Sequence, residues 1–323
     1  MLRLNSYLDL EEQDALDECI RSFIDVIKRN ISKSKLKVPR NLSYLKNNPG
    51  KFNRESFEKI YDFIRTTGVS IQPNIMNGMY SIVEIDNGLI GIENILAHSR
   101  KLVNDFSTIF AKKLTLEQRY IQSIWTRVAC YQALEFQIRN AYYLVLIHNL
   151  DSSLWEKKPI GSISPAELID INRLKLKNKL EPVACKIAEN LFSKDLIEIG
   201  TSFGKMEPFK NKKASMSSEN IIEIFKWLND LRKLRNMTVH ALDNTYDSNQ
   251  CTIKTYMKAL PPGGFFTNLY ETHGSDKKFF ESYLAIREFE YYSDMINRMF
   301  ERILLSNIKA SLFKYRKLLM AQL

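Results

Sequence analysis

The stretch from Leu116 to Leu150 limits what this chain can fold into. Its centre, IWTRVACYQALEFQIRNAYYLVLIH, is apolar on nearly every side. At helical pitch such a segment has no face to offer water, so other elements must enclose it. The chain has only 11 Gly and 9 Pro in 323 residues, too few for the many tight turns of a sandwich or barrel. The expectation is therefore an all-α helical bundle. Helical apolar spacing also marks Leu8–Arg29, Glu55–Arg65, Ser81–Phe110, Glu181–Phe192, Asn220–Leu242 and Phe279–Met320.

Between these segments the sequence predicts irregular structure. Gly68, Pro73 and Gly78 make Thr67–Tyr80 a loop or short hairpin, and Gly88 and Gly91 are expected breaks in the next helix. Residues 151–180 read as irregular, and Gly200–Ser218 as a polar, Lys-rich loop. Asp243–Lys277, with PPGG at Pro261–Gly264, reads as a long loop or one small β-hairpin. Asn220 is the expected cap of its helix, with Glu223 three residues on. The expected boundary lies near 112–116, between an N-terminal helical region (1–113) and a helical domain (114–323).

The formal net charge is +10, unevenly spread. From Ile31 to Arg54 there are seven bases and no acid: Lys33, Lys35, Lys37, Arg40, Lys46, Lys51 and Arg54. Tyr44 and Phe52 are interleaved. Cations neutralise phosphates and aromatic rings stack on bases, so this segment is a candidate RNA contact; the plainer reading is a solvated basic loop. Further clusters are Arg173, Lys175, Lys177 and Lys179, then Lys205, Lys210, Lys212 and Lys213, then Arg302, Lys309, Lys314, Arg316 and Lys317. Together they favour a polyanionic partner. Cys19, Cys130, Cys185 and Cys251 form no CxxC pair, and the four histidines form no HExxH, so no metal or other cofactor is expected. Scattered cysteines, the absence of an apolar leader and the lack of an 18-residue apolar run suggest a reducing cytoplasm and no membrane span. Phosphate-binding glycine loops and the nucleophile elbow are also missing.

One helix carries chemistry. In Asn220–Leu242, Ile221, Ile224, Leu228, Leu231 and Val239 share a face, and Arg235 falls about 20° from Leu228 on it. A guanidinium keeps its charge, so on a core face it needs an acid, a partner subunit or an anionic ligand. On the long apolar helix, Gln132, Glu135 and Arg139 form a polar stripe, with Glu135 and Arg139 as i,i+4 partners. Glu135 is therefore expected to pair with Arg235 or to orient it. Tryptophans 125, 155 and 227 read as core, and His148 as a core or helix-end residue.

The hexapeptide RNMTVH at 235–240 and the segment YQALEFQIRNAY at 131–142 resemble the HEPN family, whose signature is Arg-x4–6-His with a polar residue after the Arg. The resemblance covers at most residues 116–323. It implies a HEPN-type bundle with an extra N-terminal helical region. It also implies metal-independent endoribonuclease activity, as in toxins and phage-defence (abortive-infection) effectors cutting tRNA or mRNA, and a homodimer with an antitoxin or regulatory partner. By the same resemblance His240 would move a proton, Arg235 would stabilise the scissile phosphate, and Asn236 would bind the phosphate or hold His240. Products would end in 2′,3′-cyclic phosphate and 5′-hydroxyl. Two alternatives stand beside it: a non-catalytic HEPN-like binding module, and a helical interaction scaffold. In a straight helix Arg235 and His240 diverge by roughly 140°, so one centre needs a bent or ended helix, a long reach, or a dimer mate.

Overall fold

The computed structural model describes residues 2–108, 116–148, 173–209, 216–243 and 282–323. Among these the regular structure is entirely helical. The helices are α1 (Leu10–Lys33), α2 (Arg40–Asn47), α3 (Arg54–Thr67), α4 (Pro73–Thr108) and α5 (Leu116–His148). They continue as α6 (Arg173–Glu189), α7 (Leu196–Gly204), α8 (Ser218–Asp243), α9 (Ser282–Leu305) and α10 (Ile308–Met320), with short 3-10 turns between some of them. The expected boundary at 113/114 and the candidate hairpin from residue 244 onward lie outside the described residues.

The chain forms two compact units. The first comprises Met1–Ile92, Tyr142–Ile187 and Glu301–Leu323; the second comprises Glu93–Ala141 and Ala188–Phe300.

In the first unit α1 is the spine. Asp9 caps it: its carboxylate accepts the Glu12 backbone N–H at 2.8 Å, and the Glu12 side chain accepts the Asp9 N–H at 3.1 Å. At the other end, Lys35 sits at φ 58°, and Leu36 N–H reaches the Ile31 carbonyl at 3.2 Å. That is a Schellman stop with a lysine where glycine is usual. Helix α10 runs beside α1 in the same direction, at a constant register. Lys309 Nζ meets Glu11 at 2.7 Å, Arg316 meets Glu18 at 2.7 Å, and Cys19 Sγ donates to the Leu312 carbonyl at 3.5 Å. Helix α2 runs the opposite way, with Lys28 Nζ on Ser43 Oγ at 3.1 Å and Lys46 Nζ on Asp25 at 2.8 Å. The expected basic loop is therefore half helix, because Leu42 and Leu45 bury against α1. Phe23, Phe52, Phe57, Tyr61 and Tyr80 form a run of ring contacts at 6.0–6.3 Å through this core.

The glycines correct the sequence reading. Residues 73–80 are the start of α4, with Pro73 as its first residue, and α4 continues unbroken past Gly88 and Gly91. A Cβ at Gly78 would come within 2.2 Å of the Tyr315 ring, one at Gly88 within 2.7 Å of Leu304, and one at Gly91 within 2.6 Å of Leu144. These glycines permit close approach rather than turning the chain. Among the described glycines only Gly68 takes the left-handed role, at φ 67°, ending α3.

The second unit packs α7 against α8 and wraps parts of α4 and α9 around α5. Gln137 Nε2 donates to the Ser293 carbonyl at 2.8 Å, and Ser293 Oγ returns a bond to Gln137 Oε1 at 2.7 Å. Leu134, Ile138, Phe225, Leu228 and Phe289 are at most 1% exposed. Two loop expectations are corrected. Residues 200–204 belong to α7, whose Asp195 caps Ile197 N at 2.7 Å. Residues 173–180 belong to α6, which carries Pro182 in its interior. The cap of α8 is Ser217 rather than Asn220: Asn220 Oδ1 accepts from Ser217 N and Oγ, both at 2.9 Å.

Candidate nucleic-acid site

Helix α8 positions Arg235 and Asn236, and α5 positions Tyr131, Glu135 and Arg139. Arg235 is half-buried, and its Nη1 donates to Asn236 Oδ1 at 2.8 Å. Its guanidinium carbon lies 5.8 Å from the centre of the Tyr131 ring. Tyr131 is 2% exposed. Burial, then the adjacent Glu135 carboxylate, pushes its phenol up to about 12, against the pull of Arg232 and Arg235.

The expected link between Glu135 and Arg235 takes a different form. The Glu135 carboxylate pairs with Arg139 along α5, as the i,i+4 spacing requires. It reaches Arg235 only through Tyr131, and no ion pair joins Glu135 to Arg235 among the described residues. Arg139 also spreads over the Phe192 ring at 5.2 Å. Tyr131 thus lies beside one carboxylate, Glu135, which is paired with Arg139, and within the influence of two further guanidiniums, Arg232 and Arg235. Neither Arg232 nor Arg235 has a carboxylate partner among the described residues, so the surroundings of Tyr131 carry uncompensated positive charge suited to an oxyanion.

His240 lies on the same helix, which continues unended from Arg235 to Asp243, but its side chain falls outside the described part. A helix that stops between Arg235 and His240 is therefore excluded as the way to bring them together.

Sequence reasoning missed Tyr131 and Arg232. Tyr131 was legible: it continues the 135/139 stripe one turn earlier, but an aromatic in an apolar run reads as core. Arg232 lies three residues before Arg235, on a neighbouring line of the helix.

The basic segment is only partly free. Lys46 is held by Asp25 at 2.8 Å, and Arg54 by Glu58 at 2.6 Å. Phe52 is fully buried against Phe23 and cannot stack on a base, which corrects its place in the expected contact. Lys33, Lys35, Lys37, Arg40 and Lys51 are exposed, with no ion pair among the described residues, and Tyr44 is 56% exposed beside them. In the C-terminal cluster, Lys309 and Arg316 serve α1, while Lys314 and Lys317 are exposed. The side chains of Arg173, Lys175, Lys177 and Lys179, and residues 210–213, lie outside the described part.

His148 is a buried helix-end residue, as expected, with Nδ1 2.8 Å from Glu84 Oε2. His98 sits against Phe136 at 5.4 Å. Trp227 stacks on Tyr292 at 3.8 Å. His273, Trp155 and Cys251 lie outside the described residues. No group of three metal-ligating side chains occurs among the described residues, and no described helix is long and apolar enough to cross a membrane.

Comparison of the chain with protein-family models, with curated proteins and with solved structures finds no match.

Proposed function

We propose that this protein is a metal-independent endoribonuclease of HEPN type, with Arg235, Asn236 and His240 as its working residues. The observation that carries the reading is the state of Arg235. Its charge cannot be discharged, it is half-buried, and it is held by an amide and an aromatic ring rather than by a carboxylate. A guanidinium held this way keeps its charge available for an anion, and it stands at the head of RNMTVH.

In this reading His240 accepts the proton of a ribose 2′-hydroxyl. The 2′-oxygen attacks phosphorus, the bond from phosphorus to the 5′-oxygen breaks, and the 5′-oxygen takes up a proton from water. Arg235 neutralises the charge that grows on the phosphate oxygens. Asn236 fixes the Arg235 head group, which leaves its own amide N–H2 free to bind phosphate. A homodimer would supply a second Arg–His pair, answering the roughly 140° divergence along one helix. The exposed cations at the end of α1, with Tyr44, would hold RNA backbone and a base. The toxin or phage-defence role, with its neutralising partner, rests on the family resemblance.

The test compares wild type and His240→Ala on total RNA in EDTA, reading fragment ends. Cleavage by wild type alone, with cyclic-phosphate ends, supports the reading. Equal cleavage by both proteins refutes the assignment of His240. Binding without cleavage by either moves the protein to the non-catalytic class.

A further inference from the structure

We infer that Arg232 forms, with Arg235, a two-residue clamp on successive phosphates of a single-stranded RNA. This makes a polynucleotide rather than a mononucleotide the ligand of this site. The inference rests on the RNA reading proposed above and extends it to a residue outside the RNMTVH hexapeptide.

Three features carry it. Arg232 and Arg235 are three residues apart on α8, a spacing that makes side chains neighbours at about 5–6 Å between Cβ atoms. Both are half-buried, and neither has a carboxylate partner among the described residues, which is unusual for two adjacent guanidiniums. Both also act on the same buried ring, Tyr131, whose phenol lies against Glu135. A single phosphate would satisfy one planar fork and leave the other charge beside it unanswered. Two linked phosphates answer both. Exposed lysines elsewhere on α8, such as Lys226, lack this setting.

The experiment measures binding of a fluorescein-labelled 2′-O-methyl 12-mer, which has no free 2′-hydroxyl to cut, to the full chain across a salt series. Each phosphate neutralised on a single strand contributes about −0.7 to the slope of log affinity against log salt. Arg232→Gln should weaken binding roughly 5–10-fold near 0.1 M salt and make the slope less negative by about 0.7. Lys226→Gln, which removes the same charge from the exposed face, should do neither. If Arg232→Gln matches Lys226→Gln, the clamp is wrong even though RNA binds.

A second measurement needs no variant. In wild type, the 12-mer should protect Arg232 from phenylglyoxal, read by peptide mass, whereas a mononucleotide should protect it far less. Equal modification of Arg232 with and without the 12-mer overturns the clamp. Failure of wild type to bind the 12-mer overturns both the clamp and the RNA reading. Binding with a normal Arg232 effect but no cleavage of ordinary RNA supports the clamp and removes only the nuclease.

Discussion

Substituting Gly78 by Ala tests the packing of the first unit, because two effects of known sign oppose each other there. In a helix interior Ala is favoured over Gly by about 1 kcal/mol. Were residues 67–80 a loop, the change would be neutral. In the structure the new Cβ would lie 2.2 Å from Cδ2 and Cε2 of Tyr315, where carbon atoms normally rest at roughly 3.5–4.0 Å. The ring has nowhere to retreat: Tyr315 is 6% exposed, and its hydroxyl donates to the Ile75 carbonyl at 2.7 Å. Forcing a methyl into such a site costs about 1–3 kcal/mol, and breaking the buried hydrogen bond adds ~1–3 kcal/mol. After subtracting the helix gain, Gly78→Ala should destabilise the protein by ~1–5 kcal/mol. Urea unfolding, followed through the first transition, reads this directly. In a Tyr315→Leu background the ring is gone, so the same Gly78→Ala change should cost under about 0.5 kcal/mol or stabilise. The coupling between the two sites should then exceed about 0.5 kcal/mol. A Gly78→Ala protein that unfolds at higher urea than wild type would refute the close approach of α4 and α10. Gly91→Ala is the contrast: its obstruction is the flexible end of Leu144, so a change within ~1 kcal/mol is expected.

Three other outcomes follow from burial. Phe52→Ala should cost about 3–5 kcal/mol with little direct effect on RNA, while Tyr44→Ala should leave stability within ~0.5 kcal/mol and weaken oligonucleotide binding; thermal melts and anisotropy on both variants decide, and the reverse pattern would refute the assignment. Burial pushes the Glu288 carboxyl up to about 8, although the Arg127 guanidinium pulls it down. The folded state thus prefers the protonated acid, and its contribution is lost as pH rises from the ordinary carboxylate range through about 8. Glu288→Gln, measured by urea titration, should gain ~3 kcal/mol relative to wild type between pH 5 and pH 9; a difference independent of pH would contradict this. Burial also pushes the thiols of Cys19 and Cys130 up to about 12, whereas Cys185 is exposed. Iodoacetamide at pH 8 should therefore label Cys185 before Cys19 and Cys130 in the native protein, and labelling of Cys19 at the same rate would show that α10 does not cover α1.

The apolar character of α5 was legible in the sequence, but its full enclosure was not: Gln132 and Phe136 are exposed, so one edge of the helix is left uncovered. The pairing of Glu135 with Arg139 was legible because one turn of helix fixes it. Arg235 stood out because a permanent charge on an apolar face conflicts with packing. What could not be read was anything set by a distant neighbour. Gly78 looks like a turn residue until Tyr315, far along the chain, is brought against it. Phe52 looks like a stacking ring among cations until Phe23 covers it. Tyr131 looks like core, and is core, yet its ring also supports a guanidinium. In the expected basic loop, the absence of acids hid two buried leucines that were sufficient to fold α2 onto α1.

The register of α1 with α10 has a consequence for synthesis. The ion pair between Glu11 and Lys309 joins residues 298 apart. The apolar stripe of α1 leaves the ribosome long before the helix that covers it exists. At about 5–20 residues per second, that interval is roughly 15–60 s. Throughout it, Cys19 and Ser22 have no α10 to rest on. A nascent chain of this kind needs either a chaperone on its first helix or a temporary partner for it, and late truncations should be cleared as unfinished rather than accumulate as a smaller fold.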